Sequence, residues 1–177
     1  VSNVAVCGGN PIEVNFSGSS PTATYNWTNT NAATGVPASG SGNISATAAN
    51  GTTVRTGNIT VIPVENGCSG PARTFQVTVN PTPVINQPAP VTRCAGQNVS
   101  VNITGTSGMT VNWTNDNTAI GLPGSGTGTS LNFTGLAPNG TTETANITLT
   151  PSFGNCPGQP VILTITINPT PTMDPPA

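Results

Sequence analysis

The chain is one module written twice, and that repeat constrains its fold more than any local pattern does. Tyr25-Asn26-Trp27-Thr28-Asn29-Thr30-Asn31 returns 86 residues later as Val111-Asn112-Trp113-Thr114-Asn115-Asp116-Asn117. The punctuation behind each tryptophan returns too: Gly35-Val36-Pro37 with Gly40 and Gly42, then Gly121-Leu122-Pro123 with Gly126 and Gly128. Cys7 matches Cys94 at an offset of 87, and Cys68 matches Cys156 at 88. Asn80-Pro81-Thr82-Pro83 matches Asn168-Pro169-Thr170-Pro171, again at 88. A period of this length is a small domain, not a solenoid unit. The boundaries follow: a first repeat over 1–83, a second over 84–177, and proline-rich linkers at 80–90 and 168–177. The exit linker resembles the inter-repeat linker cut short, so the expectation is a two-module slice of a longer tandem array.

Within each repeat the pattern has period two, the signature of half-buried strands. Ile12, Val14 and Phe16 alternate with polar residues, as do Ile59 and Val61, and Phe75, Val77 and Val79. The second copy is cleaner: Val99, Val101 and Ile103 make one inward row, Val111 and Trp113 the next, then Leu131 with Phe133, Ile147 with Leu149, and Leu163, Ile165 and Ile167. Residues 30–42 read as a long loop with at most one short strand near Val36, and 65–71 as another loop. No segment has helical period. Six or seven short strands per repeat, with a tryptophan on the third, fit an all-β fold of two tandem immunoglobulin-like antiparallel β-sandwich domains.

Charge excludes several functions. Charged residues make up 5 % of the chain, with three arginines, no lysine and no histidine; a typical globular domain carries about 25 %. Nucleic acid is excluded as a partner, because neutralising phosphates takes clustered cations. No apolar run approaches the roughly 20 residues that span a bilayer, so membrane insertion is not expected. Four cysteines in two matched pairs read as disulfide bonding outside a reducing cytosol, hence at the cell surface or beyond it. One cysteine of each kind per module favours Cys7–Cys68 and Cys94–Cys156. A bridge between neighbouring modules is the alternative, since in an alternating sandwich those loops fall at opposite ends.

Cys-x-Gly, the W-T-N strand, the G-[VL]-P-x-S-G-x-G loop, N-I-T-[VL], Cys-x-Gly and V/I-N-P-T-P together resemble the PKD-like repeats of large surface adhesins of Bacteroidota, such as gliding adhesins exported by the type IX system. The resemblance covers essentially the whole chain. It implies a PKD-like β-sandwich, export, tandem arrays, and a role in adhesion or surface architecture. It implies no metal site, because the acids of the usual W-D-F-G-D-G motif are replaced in W-T-N-T-N at Trp27 and W-T-N-D-N at Trp113.

Candidate sites are few. Trp27 and Trp113 read as core residues, with sugar stacking as the alternative. Asp116 and Glu143 are acids without a calcium-loop pattern around them. No cofactor is expected. Eleven Asn-x-Ser/Thr sequons arise from Asn and Thr filling outward strand positions. Catalysis would have to rest on a carboxylate, and the five available, Glu13, Glu65, Asp116, Glu143 and Asp174, are never repeated between copies. The loops holding Gly35, Pro37 and Gly40, and Gly121, Pro123 and Gly126, are candidates for recognition, with surface glycans as the ligand class. The expected partners are neighbouring repeats and lateral copies of the chain. The leading expectation is a non-catalytic stalk or spacer; a glycan-binding module or a subunit of a self-assembling filament is the alternative.

Overall fold

The computed structural model describes residues 1–173; Asp174 and the end of the exit linker lie outside them. The first copy contributes β1 (Val4–Cys7), β2 (Pro11–Val14), β3 (Thr24–Asn29), β4 (Ser39–Ser41), β5 (Ile44–Thr47), β6 (Arg55–Glu65), β7 (Cys68–Ser69) and β8 (Arg73–Asn80). The second contributes β9 (Val91–Cys94), β10 (Asn98–Asn102), β11 (Thr110–Asn115), β12 (Ser125–Thr127), β13 (Ser130–Thr134), β14 (Glu143–Phe153), β15 (Cys156–Pro157) and β16 (Val161–Asn168). The chain divides into two compact units. The first is Val1–Thr82 together with Gly154–Cys156; the second runs from Pro83 to Phe153 and again from Pro157 onward.

Each unit is a two-sheet sandwich. In the first, the larger sheet has the order β1-β8-β6-β3-β4 with β7 added to β6, and β2 pairs with β5 in the smaller. The second repeats this as β12-β11-β14-β16-β9 with β15 on β14, faced by β10-β13. Pairing is antiparallel except at one edge, where β1 runs parallel to β8 and β9 parallel to β16. The inward rows read from the sequence are the rows that meet. Ile12, Val14, Ile59, Val61, Phe75, Val77 and Val79 are buried in one core, and Val99, Val101, Ile147, Leu149, Leu163, Ile165 and Ile167 in the other.

Two segments expected as loops are more ordered than that. Residues 30–42 hold a 3-10 turn, Ala32–Thr34, and the edge strand β4. Residues 65–71 are the tip of a hairpin, because Asn66 and Gly67 both take positive φ, 49° and 79°. An Asn-Gly pair in that conformation twists as its flanking strands do and closes a two-residue turn. Cys68 is thereby paired opposite Glu65.

Candidate functional site

The tryptophan loops are built inward. Trp27 lies opposite Gly40 on β4, and Trp113 opposite Gly126 on β12. A Cβ on Gly40 would come within 2.2 Å of the Trp27 ring, and one on Gly126 within 2.3 Å of Trp113. Each glycine therefore makes room for an indole lying across an edge strand. The rings are 7 % and 8 % exposed, which removes both from any stacking surface. Trp27 Nε1 donates to the Gly42 carbonyl at 3.0 Å, whereas Trp113 Nε1 is buried with no acceptor.

Gly35 and Gly121 close the 3-10 turns at φ 99° and 95°, in the left-handed region. A Cβ there would strike the Thr47 carbonyl at 2.1 Å or the Thr134 carbonyl at 2.5 Å. Between the turn and the edge strand, Val36 and Leu122 plug the cores, while Pro37 and Pro123 are exposed.

The side chains that hold these loops were not singled out in the sequence. Asn29 and Asn115, each two residues after a tryptophan, are buried. Asn29 Nδ2 donates to the Val36 carbonyl at 2.8 Å and the Asn31 carbonyl at 2.9 Å, and its Oδ1 accepts from the Asn31 amide. Asn115 Nδ2 donates to the Leu122 carbonyl at 2.8 Å, and its Oδ1 accepts from the Asn117 amide. A carboxamide satisfies donor and acceptor together, which a buried polar turn demands. Their repetition in both copies was the available signal.

The acids have local work. Asp116 accepts from the Asn146 amide at 2.7 Å, the place Thr30 Oγ1 fills opposite the Asn58 amide in the first copy. Glu143 accepts from Asn117 Nδ2 at 3.0 Å, and Glu13 from Ser45 Oγ at 2.8 Å. Glu65 accepts from Ser20 and Thr22, and those two hydroxyls hold its carboxyl below the usual range. Among the described residues no three His, Cys, Asp or Glu side chains gather as a metal site would require.

The cysteines depart from the favoured pairing. Cys7 is bonded to Cys156, 149 residues away, so the bridge takes one cysteine from each sequence copy. Cys68 and Cys94 are unpaired and exposed. Intramodule pairing fails for a physical reason. Cys7 lies opposite Asn80 where β1 and β8 finish, whereas Cys68 sits beside the hairpin turn at the far end of β6, whose Arg55 end pairs with Val79. A disulfide needs its Cα atoms within about 7 Å.

The inter-repeat linker is also more than a spacer. Ile85 bridges to Gly105 and is 4 % exposed within the second core. The Asn86 amide donates to the Thr104 carbonyl at 2.8 Å, and the Thr106 amide to the Val84 carbonyl at 3.0 Å. Pro83 lies against Gly158, where a Cβ would meet the Pro83 carbonyl at 2.0 Å. The matching place in the first unit is an open groove of about 600 Å³, walled by Phe16, Tyr25, Val61 and Pro63 and edged by Gly18 and Gly70.

Among solved structures, the chain is similar to an I-band fragment I67–I69 from titin, at 9 % identity and a TM-score of 0.57 over 95 % of this chain and 62 % of that one. It is also similar to Dpr2 Ig1–Ig2 in complex with DIP-Theta Ig1–Ig3, at 13 % identity and a TM-score of 0.50 over 94 % of this chain and 63 % of that one. Each unit is an immunoglobulin-like β-sandwich. The chain spans about three-fifths of the length of these neighbours. No family model matches it, and no curated protein does.

Proposed function

We propose that the two modules are non-catalytic spacer repeats in the stalk of an extracellular bacterial adhesin or surface fibre, of the PKD-like type exported in Bacteroidota. The observation that carries this reading is the inward use of the repeated loops. Gly35, Gly40, Gly121 and Gly126 are spacers for a carbonyl or an indole, and Asn29 and Asn115 tie the loop to itself. Near-identity of the two loops is thus accounted for by packing, without a ligand. The four acids among the described residues are each engaged by a neighbouring donor, which supports a non-catalytic role. The Cys7–Cys156 bond supports an oxidising, extracellular setting. A nearly uncharged Thr/Asn surface loses little to salt, which suits a hydrated stalk.

The size of the native polypeptide on a reducing gel tests the proposal. A band of hundreds of kilodaltons is expected. A band near that of the 177-residue chain would overturn the stalk and leave a filament of separate copies. Glycan recognition by Pro37 and Pro123 is the competing reading. A glycan array that loses signal when both loops are replaced by Gly/Ser would establish it.

A further inference from the structure

The Cys7–Cys156 disulfide is a shortcut through the chain. It joins directly two residues that lie 149 apart in sequence. The covalent loop closed between them holds β2 to β14 whole, which includes both smaller sheets, both tryptophan clamps and most of each core. Outside the loop lie residues 1–6 and 157–177, with β1 leading into Cys7 and β16 leading away from Cys156.

These two strands have no slack to give. A strand rises about 3.2–3.4 Å per residue, and a fully drawn chain reaches at most about 3.3–3.6 Å. Both are also anchored along their length. Asn3 Oδ1 accepts from the Gln76 amide ahead of β1, and the Gly8 amide donates to the Asn80 carbonyl behind it, both at 2.9 Å. β16 lies between β14 and β9, and its Leu163, Ile165 and Ile167 are fully buried. Drawing β16 along its axis must break hydrogen bonds on both of its edges at once. Cys156 is 2 % exposed, so one of the two bonded sulfurs is closed to an attacking thiol.

We propose that this bond is a load-bearing link. Tension entering ahead of Cys7 passes along β1, across the disulfide and out along β16, and the loop that holds the two cores carries none of it. The proposal rests on the stalk reading, since it says how such modules transmit force. The sandwiches hold β1 and β16 in place, and a covalent bond resists the stretch. Without the bond, tension would run through every strand in turn. Each core would then resist only by packing and by hydrogen bonds worth about 1 kcal/mol each.

The test is single-molecule stretching of the full chain between cysteine-free terminal handles, after the exposed Cys68 and Cys94 are alkylated in the folded protein. Oxidised wild type is expected to lengthen by no more than about 10 nm, the reach of residues 1–6 and 157–177 at roughly 3.4 Å each. Cys7→Ser, or wild type reduced in urea and refolded in reductant, should lengthen by about 50 nm more as the 149-residue loop opens. Ile59→Ala weakens the first core inside the loop. It should leave the oxidised trace unchanged and lower the force at which the reduced chain gives way. An oxidised extension of about 20 nm, as Cys7–Cys68 and Cys94–Cys156 pairing would leave, or of about 60 nm, as an open chain would reach, overturns the proposal. So does an oxidised trace that shifts with Ile59→Ala, or a reduced chain no longer than the oxidised one. Circular dichroism is the folding control for Cys7→Ser, and the oxidised limit of wild type stands without that variant. The native polypeptide size tests the stalk separately: a short native chain would sink the stalk and leave the stretching limit as it is.

Discussion

The first and second units carry the same strands, loops and tryptophan clamps, yet only the second has its entry end filled. Ile85 joins Val111 and Leu149 in the second core, whereas Tyr25 and Val61 line the wall of an open groove in the first. The lesson is that this module is bounded by its packing and not by its sequence period. A strip that follows the first repeat by sequence belongs to the second unit by burial.

Removing Ile85 should break the comparison most sharply. Ile85→Ala is expected to cost the second unit about 2–5 kcal/mol, the usual range for emptying a buried isoleucine site. The first unit should be untouched. Hydrogen exchange followed separately on β6 and β14 reads this directly; equal loss of protection in both strands would contradict it.

The clamps should behave alike in both units. Asn29→Leu and Asn115→Leu each strand buried loop carbonyls and one amide, so a loss of about 2 kcal/mol is expected in the unit concerned. Urea unfolding of the two variants should show matching shifts; a large inequality would mean that the loops are not held the same way.

A smaller contrast separates the tryptophans. Trp27→Phe loses a hydrogen bond to Gly42, while Trp113→Phe removes a donor with no acceptor. Trp27→Phe should be the costlier by about 1 kcal/mol, measured as a difference between the two unfolding midpoints.

The smallest effect concerns acid. The hydroxyls of Ser20 and Thr22 lower the Glu65 pKa in the folded state. A lowered folded value contributes stability above the unfolded carboxyl pKa, and that contribution disappears as pH falls through the folded one. Glu65→Gln should flatten this acid limb in the first unit, and only slightly, because the group is exposed. The second unit has Phe153 at the matching position and lacks this contribution. A pH series of thermal midpoints for wild type and variant checks it.

Much of this molecule was legible in its residues. Alternation at Val99-Val101-Ile103 or Leu163-Ile165-Ile167 determines which faces turn inward, because a strand's side chains change sides at every residue. The 86-to-88-residue echo determines that there are two such sandwiches. The Asn-Gly at 66–67 carried the signal for the turn that presents Cys68, although residues 65–71 read only as a loop. What the sequence could not decide depends on where distant ends meet in space. Cys7 recurs with Cys68 in one module and is bonded to Cys156; Ile85 looks like linker and is core. Period-two patterning reports only the face a side chain takes within its own strand. Which strand end, glycine pair or thiol it meets is decided by tertiary packing, where an apolar strip goes to the groove that buries it and a disulfide forms only between sulfurs that the fold brings within bonding reach.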